Sequence, residues 1–501
     1  MSLPSLFDRG VTVAGRRLFL VEGDRKWTYL EADELIRGMA SALVERGVTK
    51  ATPVAVLAPN SAFGFMAVLA VLRAGGTWVP LNVRAEPRSS ATYLSCTGTH
   101  LCIVHEDLAD VAAEIHGQCA AESLPLGELV NAGHGASAGL PVVQPDDLAV
   151  LMPTGGTTGE PKAARLTHRV FDIFVANFLS GMPVTDATAT HLIAAPMTHA
   201  AGFLAFALMS KGATNIVHAQ VDPARILADI AAHKVTHLFL PPTVIYMLLA
   251  EPTLGVHDYS SLENFVYAAA PMSVAKLREA LTVFGPVMTQ VYGQAEAPMT
   301  ITYLSPSDHV AALRDAPALL ASCGRGTPFV ELSVLDPAGT PVPPGTTGEI
   351  CVRGDLVMEC YHGDEPSDRS AWHHTGDVGH LDVDGYLFIT DRLRDMIISG
   401  GFNIYPTEIE QVLWSHPAVQ DCAVVGVPDP KWGEAVTAIV QLRNGHTVDD
   451  VELMQLVRAQ LGGMKTPKAI HFWPDLPRSP VGKVLRRKVR DTFWEGHDRA
   501  V

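Results

Sequence analysis

Three features of the sequence predict an α/β fold built on parallel strands. Short apolar runs alternate with helix-length segments, glycines and prolines punctuate the alternation, and 48% apolar against 18% charged residues supply material for a large core. At 501 residues the chain exceeds the roughly 100 to 200 of one ordinary domain, so one very large domain, or a large one with appendages, is expected.

Thr28 and Glu31 have the spacing of a capping box; Leu35, Met39 and Leu43 then fall on one helical face, and Gly47 is placed to stop it. Val54-Ala55-Val56-Leu57 reads as a strand, Phe63–Arg73 as a helix, and Trp78-Val79-Pro80 after Gly75-Gly76 as the next strand. The rhythm returns with a helix over Ala224–His233, a strand over His237–Leu240 and a helix from about Thr243 to Ala250. Ala132–Gly139, rich in glycine and alanine, reads as a loop, and Leu148–Met152 as a strand. Glu331–Leu335, Glu349–Arg353 and Tyr386–Thr390 are short β pieces with turns between them. A further α/β portion follows Asp391-Arg392-Leu393, which marks the predicted domain boundary.

The formal charge of −16 lacks the positive field that non-specific nucleic-acid binding requires. It is uneven: from Arg392 onward 14 Lys/Arg face 13 Asp/Glu, so the acidity lies in the first part and the tail is basic. Met1–Asp8 lacks the charged start and apolar stretch of a signal peptide, and Phe63–Leu72 is far short of a membrane span of roughly 20 residues. Seven cysteines without a Cys-x-x-Cys indicate neither a disulfide framework nor a zinc site. A soluble cytoplasmic protein is expected, without integral membrane association; a homodimer is compatible with the sequence.

The densest motif is Thr154-Gly155-Gly156-Thr157-Thr158-Gly159-Glu160-Pro161-Lys162. Glycines allow backbone N–H groups to converge on an anion, the threonine hydroxyls add donors, and Lys162 adds charge, so the segment is suited to cradle phosphate. It is not a Walker loop, because Pro161 precedes the lysine. In order along the chain follow Tyr292-Gly293-Gln294-Ala295-Glu296, Thr375-Gly376-Asp377, Asp391-Arg392, Gly400-Gly401-Phe402-Asn403-Ile404-Tyr405-Pro406 and Pro480-Val481-Gly482-Lys483. This ordered set resembles the signatures of the adenylate-forming superfamily: acyl- and aryl-CoA synthetases, beetle luciferases and peptide-synthetase adenylation domains. It is most similar to the fatty-acid and aryl acid–CoA ligases.

The resemblance implies a large N-terminal domain of layered α/β subdomains with a β-rich subdomain, residues 1–393, and a small mobile α+β domain, residues 394–501, hinged at Arg394. It implies ATP, Mg2+ and CoA as co-substrates and cofactor, and a carboxylic acid as the group activated. Lys483 matches the catalytic lysine that bridges carboxylate and phosphate, Glu296 the magnesium ligand, Asp377 the ribose-binding carboxylate, and Arg392 a supporting cation. Thr154, Gly155, Gly156, Thr157, Thr158, Gly159, Lys162, Ala269, Ala270, Tyr292, Gly293 and Gln294 match the ATP and AMP site, with Tyr292 stacked on adenine. His199 matches the gate of the acyl pocket, which Ala200, Ala201, Ala268, Gly293 and Met299 would line. No Asp, Arg or Lys lies between Pro196 and Phe206, so the implied substrate is a neutral, apolar acid. Ser399, Gly400, Gly401 and Trp432 match the CoA tunnel, and the basic run from Lys483 to Arg490 is a candidate for the CoA phosphates.

The chain departs from the family's usual residues at Gly155, Ala163, Ala295, Cys360, Phe402 and Arg394; Ala295 removes a hydroxyl donor to phosphate, while every charged role keeps its residue. Two further readings exist: an acyl-AMP ligase loading a carrier protein, and a non-catalytic nucleotide- or acyl-binding protein. A hydrolase elbow at Gly135-Ala136-Ser137-Ala138-Gly139 matches the pattern, but lacks the strand before it and the helix after it.

Overall fold

The computed structural model describes residues 1–154, 161–182, 188–366, 368–400, 402–478 and 484–494. Its elements follow the predicted rhythm. Thr28 caps the helix Tyr29–Glu45 with both arms of the capping box, and the strand Pro53–Leu57, helix Ala62–Arg73 and strand Thr77–Pro80 succeed it. The two strands pair in parallel, as the βαβ connection requires.

Two sheets carry the large domain. The first has six strands, in the order Glu122–Pro125, Leu101–Val104, Pro53–Leu57, Thr77–Pro80, Leu148–Thr154 and Lys162–Thr167. All pairs are parallel except the last, an antiparallel hairpin in which Thr154 faces Lys162. The first and last residues of the cradle motif, Thr154 and Lys162, are therefore cross-strand partners. The second sheet has 13 strands, and its middle is parallel: Leu18–Glu22, Thr214–Val217, Thr190–Ile193, His237–Phe239, Asn264–Tyr267 and Met288–Tyr292.

The β-rich region near 330–390 does not form a sheet of its own. After Met288–Tyr292 the second sheet turns antiparallel and continues through Thr302–Leu304, Gly324–Gly326, Tyr386–Arg392, His373–Leu381, Gly348–Arg353 and Glu331–Leu335. The small domain has a separate five-stranded sheet, dominated by the antiparallel pair Val419–Asp429 and Gly433–Leu442.

Packing explains why two helices lack a polar face. Ala62–Arg73 and Ala200–Met209 are buried almost all round, as expected for helices enclosed within a core. Phe65 stacks on Phe206 at 5.6 Å between ring centres, and Trp78 of the first sheet meets Phe206 edge-on at 6.4 Å. The stretch Ala132–Gly139 is not loop throughout: Ala132 and Gly133 end the helix Leu126–Gly133. A Cβ on Gly133 would lie 2.8 Å from the Met39 nitrogen, and one on Gly38 2.5 Å from the Gly133 carbonyl oxygen. The glycine serves close helix approach here rather than looseness. Ser137 follows a helix rather than a strand, and the next strand begins only at Leu148, so it occupies no nucleophile elbow. No described helix is long and apolar enough to cross a membrane.

Candidate active site

In open α/β sheets, ligands bind beyond the carboxyl ends of parallel strands, where the strand order changes direction. Three of the parallel strands end at Ile193, Tyr267 and Tyr292, and the segments Pro196–His199, Ala268–Ala270 and Gly293–Glu296 follow them directly. The sheet turns antiparallel beside the last of these, where Tyr292 pairs with Thr302. Topology alone therefore gathers His199, Ala268, Ala269, Ala270, Tyr292, Gly293 and Gln294 at one sheet end.

The antiparallel arm then brings up the acid. Asp377 and Arg392 are direct partners across adjacent strands, and the Arg392 Nε lies 3.3 Å from Asp377 Oδ1. Asp377 is 5% exposed and accepts hydrogen bonds from the Tyr292 hydroxyl at 2.7 Å and Gln294 Nε2 at 2.8 Å, both on Oδ2. Gln294 Nε2 also donates to the Thr375 carbonyl at 2.8 Å, and the Thr375 hydroxyl accepts from the Asp377 N–H. Burial, with the Asp377 charge second, holds the Tyr292 phenol well above its ordinary pKa, so it stays a donor. The ion pair of Arg392 is with Asp377 rather than with its neighbours Asp391 or Asp395.

Glu296 is fixed from a different direction. Tyr361 donates its hydroxyl to Glu296 Oε1 at 2.9 Å, and the Met358 N–H donates to the Glu296 carbonyl at 2.7 Å. The segment carrying Tyr361 runs along the outer edge of the first sheet: the Arg165 N–H donates to the Cys360 carbonyl, and the His362 N–H to Ala163. Lys162 lies over the Tyr361 ring at 5.0 Å. One tyrosine thus joins the last residue of the cradle motif to the carboxylate of Glu296. A half-exposed carboxylate joined through Tyr361 to Lys162 offers the hard oxygen that Mg2+ prefers, an ion that commonly takes one or two carboxylates plus phosphate.

His199 caps the helix Ala200–Met209, with its Nδ1 2.9 Å from the Thr198 hydroxyl. Desolvation lowers its pKa to about 4, so the imidazole is neutral at physiological pH. Asn60 fixes the loop before it: its side chain accepts from the Met197 N–H at 2.8 Å and donates to the Ala195 carbonyl at 2.9 Å. Gly202 can only be glycine here, because a Cβ would overlap the Met197 carbonyl.

Ala201, Ala268 and Met299 are buried, while Ala200 is half-buried. Ala269 and Met299 both adopt the left-handed backbone, φ 74° and 52°, which costs a non-glycine residue on the order of 1–3 kcal/mol. Strain at two residues facing the same strand ends fits a shaped ligand site. Gly293 lies beneath Met299, where a Cβ would stand 2.6 Å from the Met299 Cα.

In the small domain, buried Ser399 pairs with Gly433, and the Gly400 N–H donates to the Trp432 carbonyl at 2.8 Å. Gly400 has φ 57°, and a Cβ there would approach the Trp432 ring to 2.8 Å. The space beside Gly400 is therefore taken by the half-exposed indole, which Lys431 and Lys468 flank. Arg394 pairs with Asp395 at 3.9 Å. Gly155, Gly156, Thr157, Thr158, Gly159, Gly401 and Lys483 lie outside the described residues.

The basic run is not free for CoA phosphates as a whole. Arg486 donates to Glu410 Oε1 at 2.9 Å, to Glu410 Oε2, to Asp391 Oδ1 at 2.7 Å and to the Thr407 hydroxyl at 2.7 Å. Two buried carboxylates neutralise it, and composition gives no hint of which arginine in a basic run they hold. Tyr361 and Asn60 were likewise not singled out from the sequence, because each acts across more than 60 residues of separation and neither sits in a recognisable motif.

Comparisons with known proteins identify the family. Residues 7–362 match the model of the AMP-binding enzyme family, and residues 408–483 that of the AMP-binding enzyme C-terminal domain. A medium/long-chain-fatty-acid–CoA ligase of Mycobacterium tuberculosis is 40% identical over 71% of this chain and 63% of its own length. A feruloyl-CoA synthase of Amycolatopsis is 36% identical over 94% of this chain and 95% of its own. Among solved structures, the amide bond synthetase McbA of Marinactinospora thermotolerans superposes with a TM-score of 0.89 at 30% identity, covering 98% of this chain and all of that one. The two family-model matches, which together span most of the chain, make it an adenylate-forming enzyme. The chain belongs to the AMP-binding enzyme family, as an AMP-forming ligase of the acid–CoA ligase class.

Proposed function

We propose that this enzyme activates a neutral, apolar carboxylic acid, fatty or aromatic, with ATP and then transfers the acyl group to CoA. In the first half-reaction a carboxylate oxygen attacks the α-phosphorus and pyrophosphate leaves. In the second the CoA sulfur attacks the acyl carbonyl, its thiol proton passes to solvent, and AMP leaves. Both partners in the first step are anions, so the approach needs cations beside it. Lys483 would bridge the carboxylate and the α-phosphate, and Lys162 would meet the outer phosphates with the hydroxyl of Thr154. Glu296 would hold Mg2+, which neutralises phosphate charge when bound. Asp377, oriented by Tyr292 and Gln294, would accept the ribose hydroxyls, with Arg392 balancing its charge. Tyr292, Ala269 and Ala270 would border the adenine.

The observation that carries the substrate reading is that no Lys, Arg or Asp lies between Pro196 and Phe206. A dicarboxylic acid needs a cation for its second carboxylate, and this segment supplies none; burial, which lowers the pKa of His199, points the same way. His199, Ala200, Ala201, Ala268, Gly293 and Met299 offer instead an apolar wall. The second step would require the domain from residue 394 onward to turn about Arg394, bringing Ser399, Gly400 and Trp432 to the reaction centre. The similarity of the chain to fatty-acid and feruloyl ligases supports both acid classes.

The test is a panel of fatty and aromatic acids with pyrophosphate release as the readout. Mass detection of the product follows when CoA, a carrier protein or an amine is offered as acceptor. Release with apolar acids and thioester formation with CoA support the proposal; release only with dicarboxylic or amino acids, or no transfer to CoA, refutes it. Lys483→Ala should abolish pyrophosphate release yet still convert supplied acyl-AMP to thioester, and equal loss of both half-reactions would contradict its role.

A further inference from the structure

Among the described residues one group outside the nucleotide site has the composition of a metal centre: Glu349, Cys351 and His374. Glu349 and Cys351 stand two apart on the strand Gly348–Arg353, and His374 lies directly opposite Cys351 on the strand His373–Leu381. Cross-strand partners have Cβ atoms about 4.5–5.5 Å apart, so a ligand pair here is fixed by sheet register rather than by loop conformation. The ladder is irregular between Glu349 and Cys351, which lets the acid reach the same histidine.

The distances suit coordination. Cys351 Sγ lies 3.5 Å from His374 Nδ1, and Glu349 Oε2 lies 2.7 Å from that nitrogen; all three candidate ligand atoms fall within 4.8 Å of one another. A tetrahedral zinc ion, with bonds of about 2.3 Å to sulfur and 2.0–2.1 Å to nitrogen, sets sulfur and nitrogen about 3.5–3.6 Å apart. The carboxylate oxygen need only withdraw by under about 1 Å to take its place on such an ion. The other oxygen of Glu349 accepts from the Gly376 N–H at 3.1 Å, the kind of outer hydrogen bond that orients a ligating carboxylate. His374, an exposed residue, also borders a cavity of about 450 Å3 with Arg169, Asp355, Tyr361 and Trp372, so the site is reached from its side, and three protein ligands leave a tetrahedral ion a fourth position for water. Burial and the Glu349 charge push the Cys351 thiol up to about 12 in the absence of a metal. A divalent cation at this point would reverse that balance, as coordination does for any thiol.

We propose that Glu349, Cys351 and His374 form a Zn2+ site with one open position, clamping the strand pair that leads into Thr375-Gly376-Asp377. Mixed sulfur, nitrogen and oxygen donors select zinc over magnesium, so the site is chemically distinct from the one assigned to Glu296.

Co2+ serves as the probe on the full-length, chelator-treated protein under a non-thiol reductant. One equivalent should bind with the intense visible bands of a tetrahedral ion and a near-ultraviolet thiolate-to-cobalt band, and Zn2+ should bleach both. His374→Ala, an exposed position that leaves the core untouched, should weaken Co2+ binding on the order of 100-fold or more. Cys351→Ser should remove the thiolate band, and elemental analysis of metal-exchanged protein should report about one zinc in the parent and none in either variant. A thermal melt of the loaded parent should shift upward, and that shift should vanish in His374→Ala. Absence of the thiolate band, or equal stoichiometry and affinity in parent and His374→Ala, would overturn the assignment, even if Cys351→Ser failed to fold.

Discussion

Arg486→Met tests the joint between the domains most directly. The guanidinium joins Glu410 and Thr407 of the small domain to Asp391, at the end of the last large-domain strand and three residues before the proposed hinge. The side chains of Asp391 and Glu410 are 1% and 3% exposed, so neither carboxylate can recruit solvent when the arginine goes. Removing one partner from a buried ion network costs about 3–5 kcal/mol, because the remaining charge stays desolvated. For a unit of about 100 residues this lowers the melting temperature on the order of 10 °C or more. The sign of the pH dependence also follows. Burial is the largest influence on Glu410 and raises its pKa, while Arg486 lowers it. Without the arginine, burial and Asp391 both raise it, opposed mainly by the Val424 N–H. A carboxyl with a raised folded pKa binds more protons folded than unfolded, so stability is kept at low pH and lost as pH rises through the folded value. The deficit of the variant should therefore widen as pH rises above the ordinary carboxylate range in calorimetric melts, and adding Glu410→Gln should recover part of it. A loss below about 1 kcal/mol, or a deficit that narrows with rising pH, would refute the argument.

Asp377→Asn should raise the KM for ATP about 10- to 100-fold with folding intact, since a charge-assisted hydrogen bond contributes about 1.5–3 kcal/mol; initial-rate kinetics against ATP and acid separately would isolate the effect. Gly293→Ala, whose new methyl would lie 2.7 Å from the Ala297 carbonyl oxygen, should displace Met299 and cut kcat/KM for the acid more than for ATP, by at least about 10-fold. Because His199 already lies near a pKa of about 4, it should contribute no inflection between about pH 6 and 8, and the pH profile of kcat/KM for the acid should match that of His199→Gln there.

The capped helix Tyr29–Glu45 and the alternation of parallel strands with helices are legible from the sequence, because each is written in residues close together along the chain. Local chemistry dictates them: capping side chains, turn glycines and apolar periodicity act within a few residues. What only the tertiary structure decided are pairings across long separations. Tyr292 meets Asp377, Tyr361 meets Glu296, Asn60 holds the loop before His199, and Arg486 is withdrawn into the domain joint. The first depends on the register of strands that close from distant parts of the chain, where a shift of one residue would turn the side chains to the opposite face; the others depend on how loops and helices pack once the sheets have formed. The joining of the β-rich region to the large parallel sheet belongs to the same category, since strand order is chosen by global packing and not by any one strand's composition.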